Sequence, residues 1–175
     1  MESFGTYDLP AAAPALAAAC QIGLHFGLDL SDHRARTVAS HDLSRADVVL
    51  GFEPEHAHYA VVYARAQRER AFMLREVVSL LEGVEPIQTN DVVVRAREIV
   101  AAASARRASI FGAQFVPIGD PIGQPWHVYR ETAEQIRALS IALVEAVFDV
   151  PNTAQSSTSP GFNADRRPRT QLPSW

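Results

Sequence analysis

Cysteine is almost missing from this sequence. Cys20 is the only one in 175 residues, so no disulfide can form within the chain, and the expected compartment is a reducing cytoplasm. Positive charge is also in short supply: 16 basic against 20 acidic side chains leave a formal charge of -4. That balance argues against the basic face a nucleic-acid partner would require. No stretch approaches the ~20 apolar residues of a membrane span. The N-terminus has no basic region leading into an apolar run, so no secretion signal is expected. No internal repeat occurs. The expectation is a soluble cytoplasmic protein that uses neither nucleic acid nor membrane.

What is present is enough apolar sequence, 47% and rich in alanine, for one α/β domain. Met1 to Tyr7 reads as the tail of a short strand entering a turn at Gly5. Leu16, Ala19, Cys20 and Leu24 recur at helical spacing between Ala12 and Phe26, and Gly27 is placed to end that helix left-handed. Asp47 to Phe52 is nearly all apolar, the pattern of a parallel strand buried on both faces. Pro54 opens a helix with Tyr59, Val62, Tyr63 and Ala66 on its expected inner face. Ala71 to Leu74 reads as a second strand and Arg75 to Leu81 as a helix. Asn90 or Asp91 caps another, with Val92, Ala96, Ile99, Val100 and Ala103 along its inner stripe. Ser109 to Gln124 reads as a loop. A final helix begins near Pro125, with Tyr129, Ala133, Ile136, Leu143 and Val147 facing inward. Strand and helix alternate, which is the mark of a parallel sheet. The domain is expected over 1–150. Residues 151–175 are too polar to offset their ordering entropy and are expected to form a disordered tail.

The most informative segment is Gly119-Asp120-Pro121-Ile122-Gly123-Gln124-Pro125. Proline stiffens the backbone that carries the Asp120 carboxylate. An Asp-Pro pair alone more often just starts a turn. Other stretches add weight: Ser3-Phe4-Gly5-Thr6, then Gly27-Leu28-Asp29-Leu30-Ser31-Asp32-His33-Arg34-Ala35-Arg36, then Ala46-Asp47-Val48-Val49-Leu50, Glu55-His56 and Phe72-Met73-Leu74-Arg75-Glu76. In this order and spacing they resemble the bacterial low-molecular-weight protein tyrosine phosphatases, over roughly Ser3 to Phe148. The resemblance implies a three-layer αβα sandwich around a parallel sheet. It also implies hydrolysis of phosphate monoesters through a phosphocysteine, with no cofactor and no metal. Asp120 then matches the acid that protonates the leaving phenolate and later helps activate water. Ser3 and His33 match positions that brace the phosphate loop in some members; as bare residues they are a turn serine and a helix-start histidine.

One departure is severe. The family's nucleophile lies in a C-x5-R loop, yet Phe26 stands where a loop starting at Cys20 would need arginine. No glycine-rich turn surrounds Cys20, which reads instead as a packing thiol. The resemblance therefore implies that the family's first strand, phosphate loop and first helix, on the order of 30 residues, are lacking, as a misplaced start would leave it. In the family's strand order, 2-1-3-4, that strand fills the middle of the sheet, so unpaired strand edges are expected. Two expectations stand side by side. The first is a tyrosine phosphatase family protein, inactive as written, whose complete form acts on a phosphotyrosine protein or small aryl phosphate. The second is a non-catalytic interaction module that pairs, with itself or a partner, through exposed sheet edges. Arsenate reduction would need redox cysteines that this sequence does not contain. His25, His33, His41, His56 and His58 show no spacing that gathers them into a metal site, and read as solvated or capping residues. Arg166, Arg167 and Arg169 read as a solvated cluster.

Overall fold

A computed structural model of the chain describes residues 1–7, 12–85, 87–110 and 115–148. The expected tail at 151–175 lies outside the described residues. Among the described residues, five α-helices and two strands run in the order α1 (Ala17–His25), β1 (Val49–Gly51), α2 (Pro54–Ala64), β2 (Ala71–Met73), α3 (Leu74–Leu81), α4 (Val92–Arg107) and α5 (Trp126–Phe148). The strands pair in parallel, with Val49 opposite Ala71, Leu50 opposite Phe72 and Gly51 opposite Met73. Met1 to Tyr7 forms no strand, but Gly5 makes a parallel bridge to Thr37, with Gly5 N–H donating to the Arg36 carbonyl at 2.8 Å. The fold is thus α/β with a small parallel sheet. Among the described residues, no helix is long and apolar enough to cross a membrane.

Local sequence explains most element ends. α1 starts at Ala17, later than its apolar spacing suggests, because Leu16 is still extended and offers no capping side chain. It stops where Gly27 takes a φ of +76° and Leu28 N–H reaches back to the Gly23 carbonyl at 2.8 Å, a Schellman closure. Of the two expected caps for α4 it is Asp91 that serves: its Oδ1 accepts from the N–H groups of Val93 and Val94 at 2.9 and 3.1 Å.

Two clusters make the core. The larger gathers Phe72, Val77, Leu80, Leu81, Ile99, Val100, Ala103 and Val147 from β2, α3, α4 and α5. The smaller joins Val38, Ala60, Ala64 and Ala66, with Phe4 and Val49 packed against it. Here α2 departs from its expected inner face. Val62 and Tyr63 are exposed, while Ala60 and Ala64 are buried, because short side chains let the helix backbone settle closely on the sheet. Ala66, the last residue of the expected stripe, is buried but lies beyond the helix end.

β1 also departs from expectation. Val48, Leu50 and Phe52 are 38%, 41% and 40% exposed, so the strand is covered on one face only. Leu50 shares its side of the sheet with Phe72, which is fully buried under α4 and α5. The same face is therefore closed over β2 and open over β1. A run of apolar residues cannot distinguish a strand buried on both faces from one whose second cover is absent among the described residues.

Candidate functional site

Glycine at position 51 sets up the end of β1. A Cβ there would lie 2.5 Å from His56 Cβ, so only glycine lets the first turn of α2 close this tightly on the strand. His56 is thereby held over the strand-to-helix turn. Its Nδ1 accepts from the backbone N–H of Phe52 at 3.2 Å and of Glu53 at 3.3 Å. An accepting Nδ1 puts the ring proton on Nε2, which lies 3.9 Å from Glu53 Oε2. His56 is thus a capping residue, as its position in the sequence suggests.

The Phe52 carbonyl carries the connection onward: it accepts the N–H of Ile118 at 3.0 Å. Ile118 is buried and pins the following loop against the carboxyl end of the parallel strand. Asp120 sits two residues on, exposed, with Oδ1 accepting the N–H of Ile122 at 2.9 Å. This Asx turn explains the aspartate, since its own carboxylate satisfies the loop backbone. A second turn follows at once, where Gln124 N–H donates to the Pro121 carbonyl at 2.9 Å and Gly123 has a φ of +75°. A positive φ at that position defines a type II turn and needs glycine. The chain then enters α5, where Trp126 and Tyr129 stack with centroids 6.4 Å apart and planes 19° from parallel. Ile122 and Trp126, two and six residues further along the chain, are both exposed.

Ser3 and His33 lie in the other part of the molecule. The Ser3 carbonyl accepts from Arg36 Nη2 at 3.4 Å, next to the Gly5–Thr37 bridge. His33 is exposed, its backbone N–H bonded to the Leu30 carbonyl and its own carbonyl bonded to Arg34. The turn before it is braced by Asp29. The backbone N–H of Ser31, at 2.9 Å, and its hydroxyl hold that carboxyl below the usual carboxylate range. The bridge brings Ser3 near the segment that carries His33, but no hydrogen bond joins either side chain to Asp120 among the described residues. Cys20 is half-buried in α1 with Sγ 3.8 Å from the Ala15 carbonyl, the environment of a packing thiol. Among the described residues no three metal-binding side chains cluster. Ile118 is not legible as part of this region from its local sequence. Trp126 directly follows the proline that ends the Asp-Pro loop, which is the one signal that points to it.

No protein-family profile matches the chain, and no curated protein is similar to it. Among solved structures, the low molecular weight protein tyrosine phosphatase from T. tengcongensis is similar, with a TM-score of 0.56 and 26% sequence identity. The match covers 82% of this chain and 75% of that one. The likeness runs across most of the chain, and by it the chain resembles the low-molecular-weight protein tyrosine phosphatases.

Proposed function

We propose that this is a tyrosine phosphatase family protein in which Asp120 is the proton donor of phosphate-monoester hydrolysis. The observation that carries the reading is the hydrogen bond from Ile118 to Phe52, which fastens the Asp120 loop to the carboxyl end of a parallel strand. Open α/β sheets hold their ligands at that end. The substrate class is a phosphotyrosine side chain or a small aryl phosphate, received against Trp126 and Ile122, with Ser3 and His33 bracing the phosphate loop. The full arrangement is a three-layer αβα sandwich in which a further strand and helix cover the open side of β1. That strand would end in the C-x5-R loop, whose thiolate attacks phosphorus while Asp120 protonates the departing phenolate. Water then attacks the phosphocysteine and gives its proton to Asp120, releasing phosphate and the thiolate.

Cys20 does not supply that thiolate, because it has no phosphate cradle. The purified 175-residue chain is therefore expected to release no more phenol from an aryl phosphate than its Cys20→Ser variant. Turnover above that control would overturn the assignment of Cys20 as a packing thiol.

The exposure of Val48, Leu50 and Phe52 on one face favours a second reading, an interaction module that docks through β1. Among the described residues β1 pairs with β2 alone, and an open strand edge beside an apolar face is a template for another chain. Sedimentation should then show concentration-dependent association of the chain. Leu50→Glu, at an exposed position, should return it to monomer with little loss of stability. A monomer at all concentrations would count against this reading.

A further inference from the structure

A single peptide group carries the anchor of the Asp120 loop, and both of its ends are held. The carbonyl of Phe52 and the N–H of Glu53 belong to one planar unit. The carbonyl accepts the N–H of Ile118 at 3.0 Å, and the N–H donates to His56 Nδ1 at 3.3 Å. The N–H of Phe52, in the unit before, donates to the same nitrogen at 3.2 Å. A planar unit cannot turn at one end without turning at the other. The acceptor on His56 therefore helps to set where the Phe52 carbonyl points. Donation of the N–H also polarises the unit and makes its carbonyl a better acceptor. His56 is itself well seated: its Cβ occupies the space that only glycine at position 51 leaves open, and its side chain is 31% exposed.

We propose that His56 is a positioning residue for the Asp120 loop, acting through the Phe52–Glu53 peptide while its ring is neutral. Its bearing on catalysis rests on the reading of Asp120 as proton donor; its hold on the loop does not. A neutral imidazole with its proton on Nε2 accepts at Nδ1, whereas an imidazolium carries N–H on both nitrogens and accepts at neither. A second proton would thus set Nδ1 against two backbone donors and release the peptide. Few charged groups surround the ring. Glu53 Oε2 lies 3.9 Å from Nε2, and Glu55 is the other acid at the start of α2. The elements on which α2 packs, β1, β2 and residues 38–40, carry no charged side chain. The anchored loop brings Asp120, whose Oδ1 already accepts the N–H of Ile122.

Hydrogen exchange of the full chain, followed by NMR, tests the proposal. Asparagine is the discriminating replacement, because its Oδ1 hangs from Cγ where the imidazole carries Nδ1, and it accepts without titrating. Leucine has a methyl group there. His56→Leu is expected to lower the protection of the Ile118 amide ~fivefold to tenfold, the worth of about one hydrogen bond. The core amides of Val77 and Ile99 should keep theirs. His56→Asn should restore Ile118 to within ~twofold of the unaltered chain. In the unaltered chain, Ile118 protection should fall on acidification in step with the ring signals of His56, and in His56→Asn it should not. That titration decides the matter should the leucine variant not fold. Full protection in His56→Leu, no rescue by asparagine, or an Ile118 amide indifferent to the His56 ring would each overturn the proposal. None of these outcomes would remove Asp120 from the donor role, which is read on phenyl phosphate instead.

Discussion

In a chain that carries a C-x5-R phosphate loop ahead of Met1, Asp120→Asn is expected to lower kcat on phenyl phosphate by ~10²–10⁴. Such a chain can be made by joining the strand, loop and helix of the similar tyrosine phosphatase to this sequence. The effect should depend on the leaving group. Phenolate is a poor leaving group and needs its proton as the P–O bond breaks, so the loss should be large. An activated aryl phosphate leaves as a stable anion and should lose far less. A substitution that merely loosened the loop would slow both substrates alike, and that outcome would remove Asp120 from the proton-donor role. The physical basis for expecting a well-placed carboxylate is the chain of contacts from Gly51 through His56, Phe52 and Ile118. Asp120 is therefore presented by a loop that is anchored at Ile118 and turned by its own carboxylate.

Much of this arrangement is legible in the residues. Asp91 is readable as a cap because only a short acceptor side chain can meet the first free N–H groups of a helix. Gly27 is readable as a stop because only glycine enters the left-handed region without strain. The runs around Leu50 and Phe72 are readable as strands because they are apolar, short and bounded by turns. What the residues do not reveal is which apolar face meets which neighbour. Val62 and Tyr63 look like the inner face of α2, yet burial goes to Ala60 and Ala64, because close packing there rewards small size over hydrophobicity. Leu50 and Phe72 have the same sequence character, and only the tertiary arrangement makes one open and the other buried. The Asp-Pro pair marks the Asp120 loop, but the hydrogen bond that anchors it joins Ile118 to Phe52, far apart in sequence. No local pattern can encode that pairing. The resemblance to a known family is the source of the role proposed for Asp120, whereas the anchor emerges only in three dimensions.

The largest stability effect should come from Phe72→Ala, at about 3–5 kcal/mol, the usual cost of truncating a fully buried aromatic side chain. Phe72 is completely buried in the larger cluster, and Arg107 lies over its ring with Cζ 4.1 Å from the centroid. The guanidinium also donates to Glu76 Oε1 at 2.7 Å, to the Ala71 carbonyl at 2.8 Å and to the Arg68 carbonyl at 3.1 Å. Glu76 in turn accepts the Met73 N–H at 3.1 Å through Oε2. One arginine therefore ties the end of α4 to the start of β2, to the turn before it and to the first turn of α3. The Arg107 and Glu76 side chains are only 25% and 15% exposed, so water replaces these bonds poorly when one partner is lost. Arg107→Ala should cost ~1–3 kcal/mol, from the unsatisfied Glu76 carboxylate and the Ala71 carbonyl. Truncating Phe72 also removes the surface on which Arg107 rests, so the two substitutions should not add. A double-mutant cycle in urea is expected to give a coupling of ~0.5–3 kcal/mol. Strict additivity would mean that the arginine acts through its hydrogen bonds alone. A loss below ~1 kcal/mol for Phe72→Ala, well under the range for a buried aromatic ring, would mean that the larger cluster is not the element on which the fold depends.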